Sequence, residues 1–159
     1  CSSAASDVYK RQLINNYANW FNLKFEITYF YNAYGPGQVR TGDYATVIGI
    51  FEEQYSKGEP LTVVEPGNQS RDFTHINDIV SGVVLAAEKG QQGEYPLGTG
   101  IPHKIIDVAK MFKHKHIMIP ERRGERFYGK AIPSLTYQHL GWSAKIKIED
   151  YIAKIVAGK

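Results

Sequence analysis

Cysteine is almost absent from this chain, and its one cysteine is Cys1. A single thiol can build neither an internal disulfide framework nor a cysteine-based zinc site. Long apolar runs are missing as well. No stretch approaches the roughly 20 residues that a membrane-spanning helix needs. The N-terminus lacks the apolar core of a signal peptide. Nor is there a large excess of either charge: 19 Lys and Arg face 16 Asp and Glu, a net of +3. That balance is too mild to argue for nucleic acid. Together these absences point to a reducing, cytoplasmic setting, with neither nucleic acid nor a membrane as partner.

What is present suits a folded domain. The chain has 159 residues, 43% hydrophobic and 22% charged, with eleven tyrosines. That is long enough to bury a core and too apolar to read as disordered. Residues 2–12 show no clear helical or strand period and look like the in-frame translation of a transposon adapter used in sequencing libraries. Residues 1–12 are therefore expected to be a non-native, adapter-derived tail. The native sequence then begins near Leu13, as a C-terminal piece of something longer. On that ground Tyr9 and Lys10 are set aside as candidates for chemistry.

Hydrophobic periodicity organises the rest. Leu13, Ile14, Tyr17, Trp20 and Phe21 share one face of a helix ending over 13–21. A strand over 24–31 follows, with so little polar alternation that cover on both faces is expected. Further expectations are a helix over 45–55, a strand over 61–64 and an extended segment over 71–76. Asn77 or Asp78 is expected to cap a helix over 79–89. Beyond it come a strand over 94–98, a helix over 105–112 opened by Pro102, and a strand over 116–119. Short helices over 134–140 and 151–156 complete the chain. Strands alternating with helices give an α/β fold.

Three segments carry candidate chemistry. The first is Phe30-Tyr31-Asn32-Ala33-Tyr34-Gly35-Pro36-Gly37-Gln38, an apolar strand that empties into a polar amide and a breaking turn. Ligands of open α/β sheets bind beyond the carboxyl ends of strands, which is where Asn32 falls. The second is Arg71-Asp72-Phe73-Thr74-His75-Ile76-Asn77-Asp78, and the third is Arg122-Arg123-Gly124-Glu125. Guanidinium groups are always charged and offer a planar fork of donors that suits phosphate oxygens. Two of them with an amide suit a diphosphate, and a nearby carboxylate can accept from a ribose hydroxyl. Other polar residues have plainer readings. His75 reads as a packed strand residue, and Asp72 as a group positioning Arg71 or a backbone amide. His103, His114 and His116 stand among lysines as a solvated surface, without the carboxylate or cysteine that would complete a metal set.

In order and spacing, the three segments resemble the extended short-chain dehydrogenase/reductase family, specifically its NAD-dependent nucleotide-sugar epimerases and dehydratases. Leu140-Gly141-Trp142 followed by Lys145 is similar to that family's C-terminal end. The resemblance implies the C-terminal part of a Rossmann-type parallel sheet plus a small α/β substrate-binding domain. Residues 13–34 and 71–90 would be the remnant of the NAD-binding domain, and 35–70 with 91–159 the nucleotide-sugar-binding domain. It also implies roles. Tyr31 lies against the nicotinamide end of NAD. Asn32 donates to the sugar diphosphate, which Arg71 and Arg122 hold from two sides. Glu125 reaches the ribose, and backbone groups near Thr62 and Val64 read the base edge.

The departures from the family pattern are as informative. Counting back from Leu13, the family's Tyr-x-x-x-Lys pair falls near Ser3 and Asp7, and neither residue type is there. The glycine-rich dinucleotide fingerprint is missing too. The resemblance implies an enzyme that oxidises the sugar transiently to a 4-keto intermediate, with NAD as hydride carrier. The expectation is the substrate-binding portion of a UDP-hexose 4-epimerase, inactive by itself, whose full-length parent forms a homodimer. A 4,6-dehydratase and a non-catalytic nucleotide-sugar-binding module are the alternatives.

Overall fold

The computed structural model describes residues 4–121 and 127–158. Helix α1 (Ala4–Phe21) leads into strand β1 (Ile27–Phe30), and β2 (Ala33–Tyr34) follows at once. Then come α2 (Val47–Lys57), β3 (Leu61–Val64), β4 (Ser70–Asp72), β5 (Thr74–His75) and α3 (Ile76–Lys89). The remainder is β6 (Glu94–Leu97), β7 (Pro102–Lys104), α4 (Ile105–Met111), β8 (His116–Ile119), α5 (Ser134–Leu140) and α6 (Ile148–Ala157). Strands pair in twos. β1 with β6, β2 with β5 and β3 with β8 are parallel, and β4 with β7 is antiparallel. The strands are crossed by helices, as parallel pairing requires.

Two cores hold this together. The larger packs Phe51 and Tyr55 of α2, Leu61 and Val63 of β3, Val108 and Phe112 around α4, and Ile148 and Ile152 of α6. Phe51 and Phe112 meet edge to face at 6.0 Å. Burying each of these side chains contributes roughly 1.5–3 kcal/mol. The smaller core gathers Ile79 and Ala86 of α3, Tyr95 and Leu97 of β6, and Leu140 and Trp142.

Local chemistry sets the helix ends. Thr46 caps α2 by accepting from the Gly49 amide at 3.0 Å, and Gly58 ends it in the left-handed region at φ 73°. His75 caps α3 through its Nδ1, which accepts from the Asn77 amide at 3.2 Å. The expected caps, Asn77 and Asp78, lie inside the first turn instead. Asp78 is buried there because its Oδ2 accepts from the Lys145 and Ile146 amides at 2.9 and 2.8 Å. Pro102 does not open α4. It belongs to β7 opposite Asp72, with Lys104 before the helix. Having no N–H, Pro suits such a short edge pair.

Two expectations are overturned at the N-terminal side. Residues 4–12 are helical and continuous with 13–21. No Gly or Pro interrupts them, so a nucleated helix propagates through the whole run. Strand β1 is not covered on both faces. It pairs only with β6 among the described strands, and Phe30 is 59% exposed. Helix α1 is open in the same way, with Trp20 68% and Phe21 62% exposed beside Leu13, Ile14 and Tyr17.

Candidate functional site

β1 ends at Phe30, and the backbone turns sharply at Asn32, whose φ is 22°. The Asn32 Nδ2 donates to the Asp72 carbonyl at 2.9 Å, so one of its two donors is engaged with β4. Tyr31, just before it, is half-buried. Its ring lies over Gly98, where a Cβ would come within 3.2 Å of Tyr31 Cδ2. Glycine is required here because a Cβ would collide with the Ala131 Cβ as well as crowd the Tyr31 ring.

Alternation along β4 separates two roles. Asp72 points inward and is fully buried. Its Oδ1 accepts from the Thr99 amide at 3.0 Å and from the Thr99 hydroxyl at 2.5 Å. Its Oδ2 accepts from the Gly100 amide at 2.8 Å and the Ala131 amide at 3.0 Å. Asp72 therefore organises backbone amides, as its sequence context suggests. Arg71 faces the other way, half-buried, with Nη1 donating to the Ser70 carbonyl at 3.0 Å.

Arg71 lines a cavity of about 350 Å³ together with Asn32, Thr62, Val64, Phe51 and Gln69. Four residues expected to bind one ligand thus share one wall system, although three separate segments deliver them. The Leu61 amide donates to the Lys115 carbonyl and the Glu65 amide to the Ile119 carbonyl, both at 2.9 Å. Those bonds fix one edge of β3 on β8. The peptide groups of Thr62 and Val64 therefore turn to the opposite, cavity-side edge. Part of that edge is already in use. The Thr62 amide donates to Gln54 Oε1 at 3.0 Å, and the Val64 carbonyl accepts from the Gly67 amide at 2.9 Å. Tyr31 is not among the lining residues. Arg122 and Glu125 lie outside the described residues.

The chemistry of this cavity is one-sided. Among its described lining residues Arg71 is the only ionisable group, and it stays protonated. Among the described lining residues no carboxylate, imidazole, thiol or lysine is there to move a proton. The arrangement can hold an anion and pack an aromatic or aliphatic body against Phe51, Val47 and Ile105. Nearby titratable groups are structural. Burial lowers the His75 pKa, and Tyr34 and Tyr151 pack edge-on to its ring. Burial also raises the pKa of the Tyr34 hydroxyl, which donates to the Ile146 carbonyl at 3.1 Å. Among the described residues, no three His, Cys, Asp or Glu side chains come together to hold a metal. No described helix is long and apolar enough to cross a membrane.

Sequence reasoning overlooked Gln54, Gln69 and Glu52. Gln69 is buried and staples its own turn, with Nε2 donating to the Glu65 carbonyl at 2.8 Å. Glu52 sits on the buried face of α2 with Ile48, Phe51 and Tyr55. The i, i+3, i+4 period places it there, and that signal was available from the pattern alone.

Comparisons with known proteins bear on the family and the fold. Residues 4–98 match the model of the NAD dependent epimerase/dehydratase family. The chain is 28% identical over 133 residues to the dTDP-L-rhamnose 4-epimerase of Burkholderia thailandensis, covering 78% of this chain and 36% of that protein. It is 26% identical over 144 residues to UDP-glucuronic acid decarboxylase 6 of Arabidopsis thaliana, covering 87% and 41%. The UDP-glucose 4-epimerase of Thermotoga maritima, solved with UDP-glucose, superposes with a TM-score of 0.89 at 25% identity, covering 96% of this chain and 51% of that one. The chain thus spans between about a third and a half of these proteins. The match to such a chain makes the fold part of a Rossmann-type α/β enzyme.

Proposed function

Because the chain belongs to the NAD-dependent epimerase/dehydratase family, we propose that it is the nucleotide-sugar-binding portion of a UDP-hexose 4-epimerase. The observation that carries this reading is the shared cavity. Asn32, Arg71 and the outer edge of β3 converge on it from separate segments, and among the described lining residues Arg71 is the one permanent cation and none is a proton-transfer group. That suits anchoring a diphosphate and a base. The reaction itself needs groups from elsewhere. Arg71 holds the diphosphate, the Asn32 amide orients it, and the peptide edge at Thr62 and Val64 meets the base. Arg122 and Glu125 complete the grip on diphosphate and ribose.

NAD supplies the hydride acceptor for the 4-keto chemistry when it is bound. The residues present fit only its nicotinamide end, where half-buried Tyr31 lies over Gly98. The chain has no glycine-rich fingerprint and no Tyr-x-x-x-Lys pair. It therefore neither cradles the cofactor's pyrophosphate nor abstracts the sugar proton. We assign 13–34 and 71–90 to the NAD-binding domain and 35–70 and 91–159 to the sugar domain. The parent is a cytoplasmic homodimer.

Calorimetric titration with UDP tests the reading. Wild type is expected to bind, and Arg71→Ala to bind more weakly. No heat with UDP or UDP-galactose refutes it. Turnover of UDP-galactose by the purified chain with NAD refutes the inactivity. A second reading, a non-catalytic nucleotide-sugar-binding module, draws on the missing Tyr-x-x-x-Lys pair. Genomic sequence upstream of Leu13 decides between them: the pair and a glycine-rich turn favour the enzyme.

A further inference from the structure

Glu52 is 4% exposed, on the face of α2 that otherwise buries Ile48, Phe51 and Tyr55. A carboxylate in such a place is costly unless its oxygens are satisfied. Its Oε1 accepts from Gln38 Nε2 and from the Tyr151 hydroxyl of α6, each at 2.7 Å. Its Oε2 accepts no hydrogen bond from the described residues and is met by the Arg40 guanidinium as an ion pair at 3.0 Å. Gln38 extends the chain of bonds. Its Oε1 accepts from the Thr46 hydroxyl at 2.8 Å, and that hydroxyl oxygen accepts from the Gly49 amide at 3.0 Å. The Thr46 amide donates to the Val39 carbonyl at 3.1 Å and closes the segment on itself.

Residues 38–46 are thus tied at Gln38 and Arg40 to one carboxylate, which α6 braces from behind. A Cβ at Gly49 would collide with the Val39 carbonyl oxygen, so the segment is pressed down onto α2. Its far end, Ala45 and Thr46, together with Val47, forms part of the wall of the cavity that Arg71 also lines. Glu52 itself does not line the cavity.

We propose that Glu52 is a positioning residue, which holds residues 38–46 down on α2 and thereby fixes the Ala45–Val47 wall against which the ligand packs. It touches no ligand. Its hold on the segment is independent of what binds. Its effect on affinity rests on the nucleotide-sugar reading above.

The test compares Glu52→Gln, which removes the charge that Arg40 pairs with where two hydrogen-bond donors also converge, with Gln38→Ala, which cuts only the link and leaves the core intact. Amide hydrogen exchange is read at Thr46 and Gly49 relative to Val63 in β3, and UDP affinity by calorimetry. Both variants should raise the Thr46-to-Val63 exchange ratio about tenfold and weaken UDP binding by about fivefold. Val108→Ala, in the core of α4, should lower global stability while leaving that ratio unchanged. An unchanged ratio in both variants overturns the proposal. So does a raised ratio with undiminished affinity for UDP. If wild type itself fails to bind UDP, the nucleotide-sugar reading falls, and the exchange ratio still decides whether Glu52 anchors the segment.

Discussion

Replacing Asp72 with Asn should cost this chain much of its stability. Each Asp72 oxygen accepts two hydrogen bonds, Oδ1 from the amide and hydroxyl of Thr99 and Oδ2 from the amides of Gly100 and Ala131. Asparagine keeps one oxygen and turns an NH₂ toward the other two donors. Two donors then lose their acceptor in a buried site, at about 1–3 kcal/mol each. The expected loss is therefore about 2–6 kcal/mol, against a total near 5–15 kcal/mol for a typical domain. Urea unfolding followed by Trp142 emission reads it, because Trp142 is 3% exposed and close to this junction while Trp20 is 68% exposed. At an m-value of roughly 2 kcal/mol/M, the midpoint should drop by about 1–3 M. UDP affinity should fall too, since the Asp72 carbonyl holds Asn32 and the neighbouring residue is Arg71. A stability change within about 0.5 kcal/mol, the usual range for a surface substitution, would refute the reasoning.

Arg71→Ala should weaken UDP binding about 10- to 100-fold, the worth of one charge-assisted contact, as measured by calorimetry. Arg71→Lys should recover only part of it, because lysine lacks the planar fork. His75 gives a pH prediction. Burial lowers its pKa below the ordinary 6.5, so the unfolded chain takes up the proton first. Stability should fall as pH drops below about 6.5, and His75→Asn, which keeps an N-cap acceptor, should flatten that slope in urea titrations from pH 5 to 8. Replacing Leu13, Tyr17 and Phe21 of α1 together by Ser should suppress aggregation in light scattering. The urea midpoint should barely move, because these side chains are 42%, 49% and 62% exposed.

Legibility in the sequence followed the range of the interaction. β3 over 61–64 and β8 over 116–119 were readable to the residue, because apolar β-branched runs between turn signals state a strand locally. The cap of α3 was not. Asn77 and Asp78 are good caps by composition, yet His75 takes the position and Asp78 turns inward to two amides more than sixty residues away. The cover of β1 failed for a related reason. Its sequence states what it can bury, not whether described neighbours are there to cover it.

The sequence by itself determined the element order, the helix faces and the residue types suited to an anion: Asn32 after its strand, Arg71 before Asp72. Only the tertiary structure decided that these residues share one cavity with Thr62 and Val64, that Asp72 is spent on amides, and that Glu52 braces a loop. The physical reason is distance along the chain. Propensity and period act over a few residues, whereas a cavity wall is assembled from segments whose meeting depends on how β-pairs and helix faces pack.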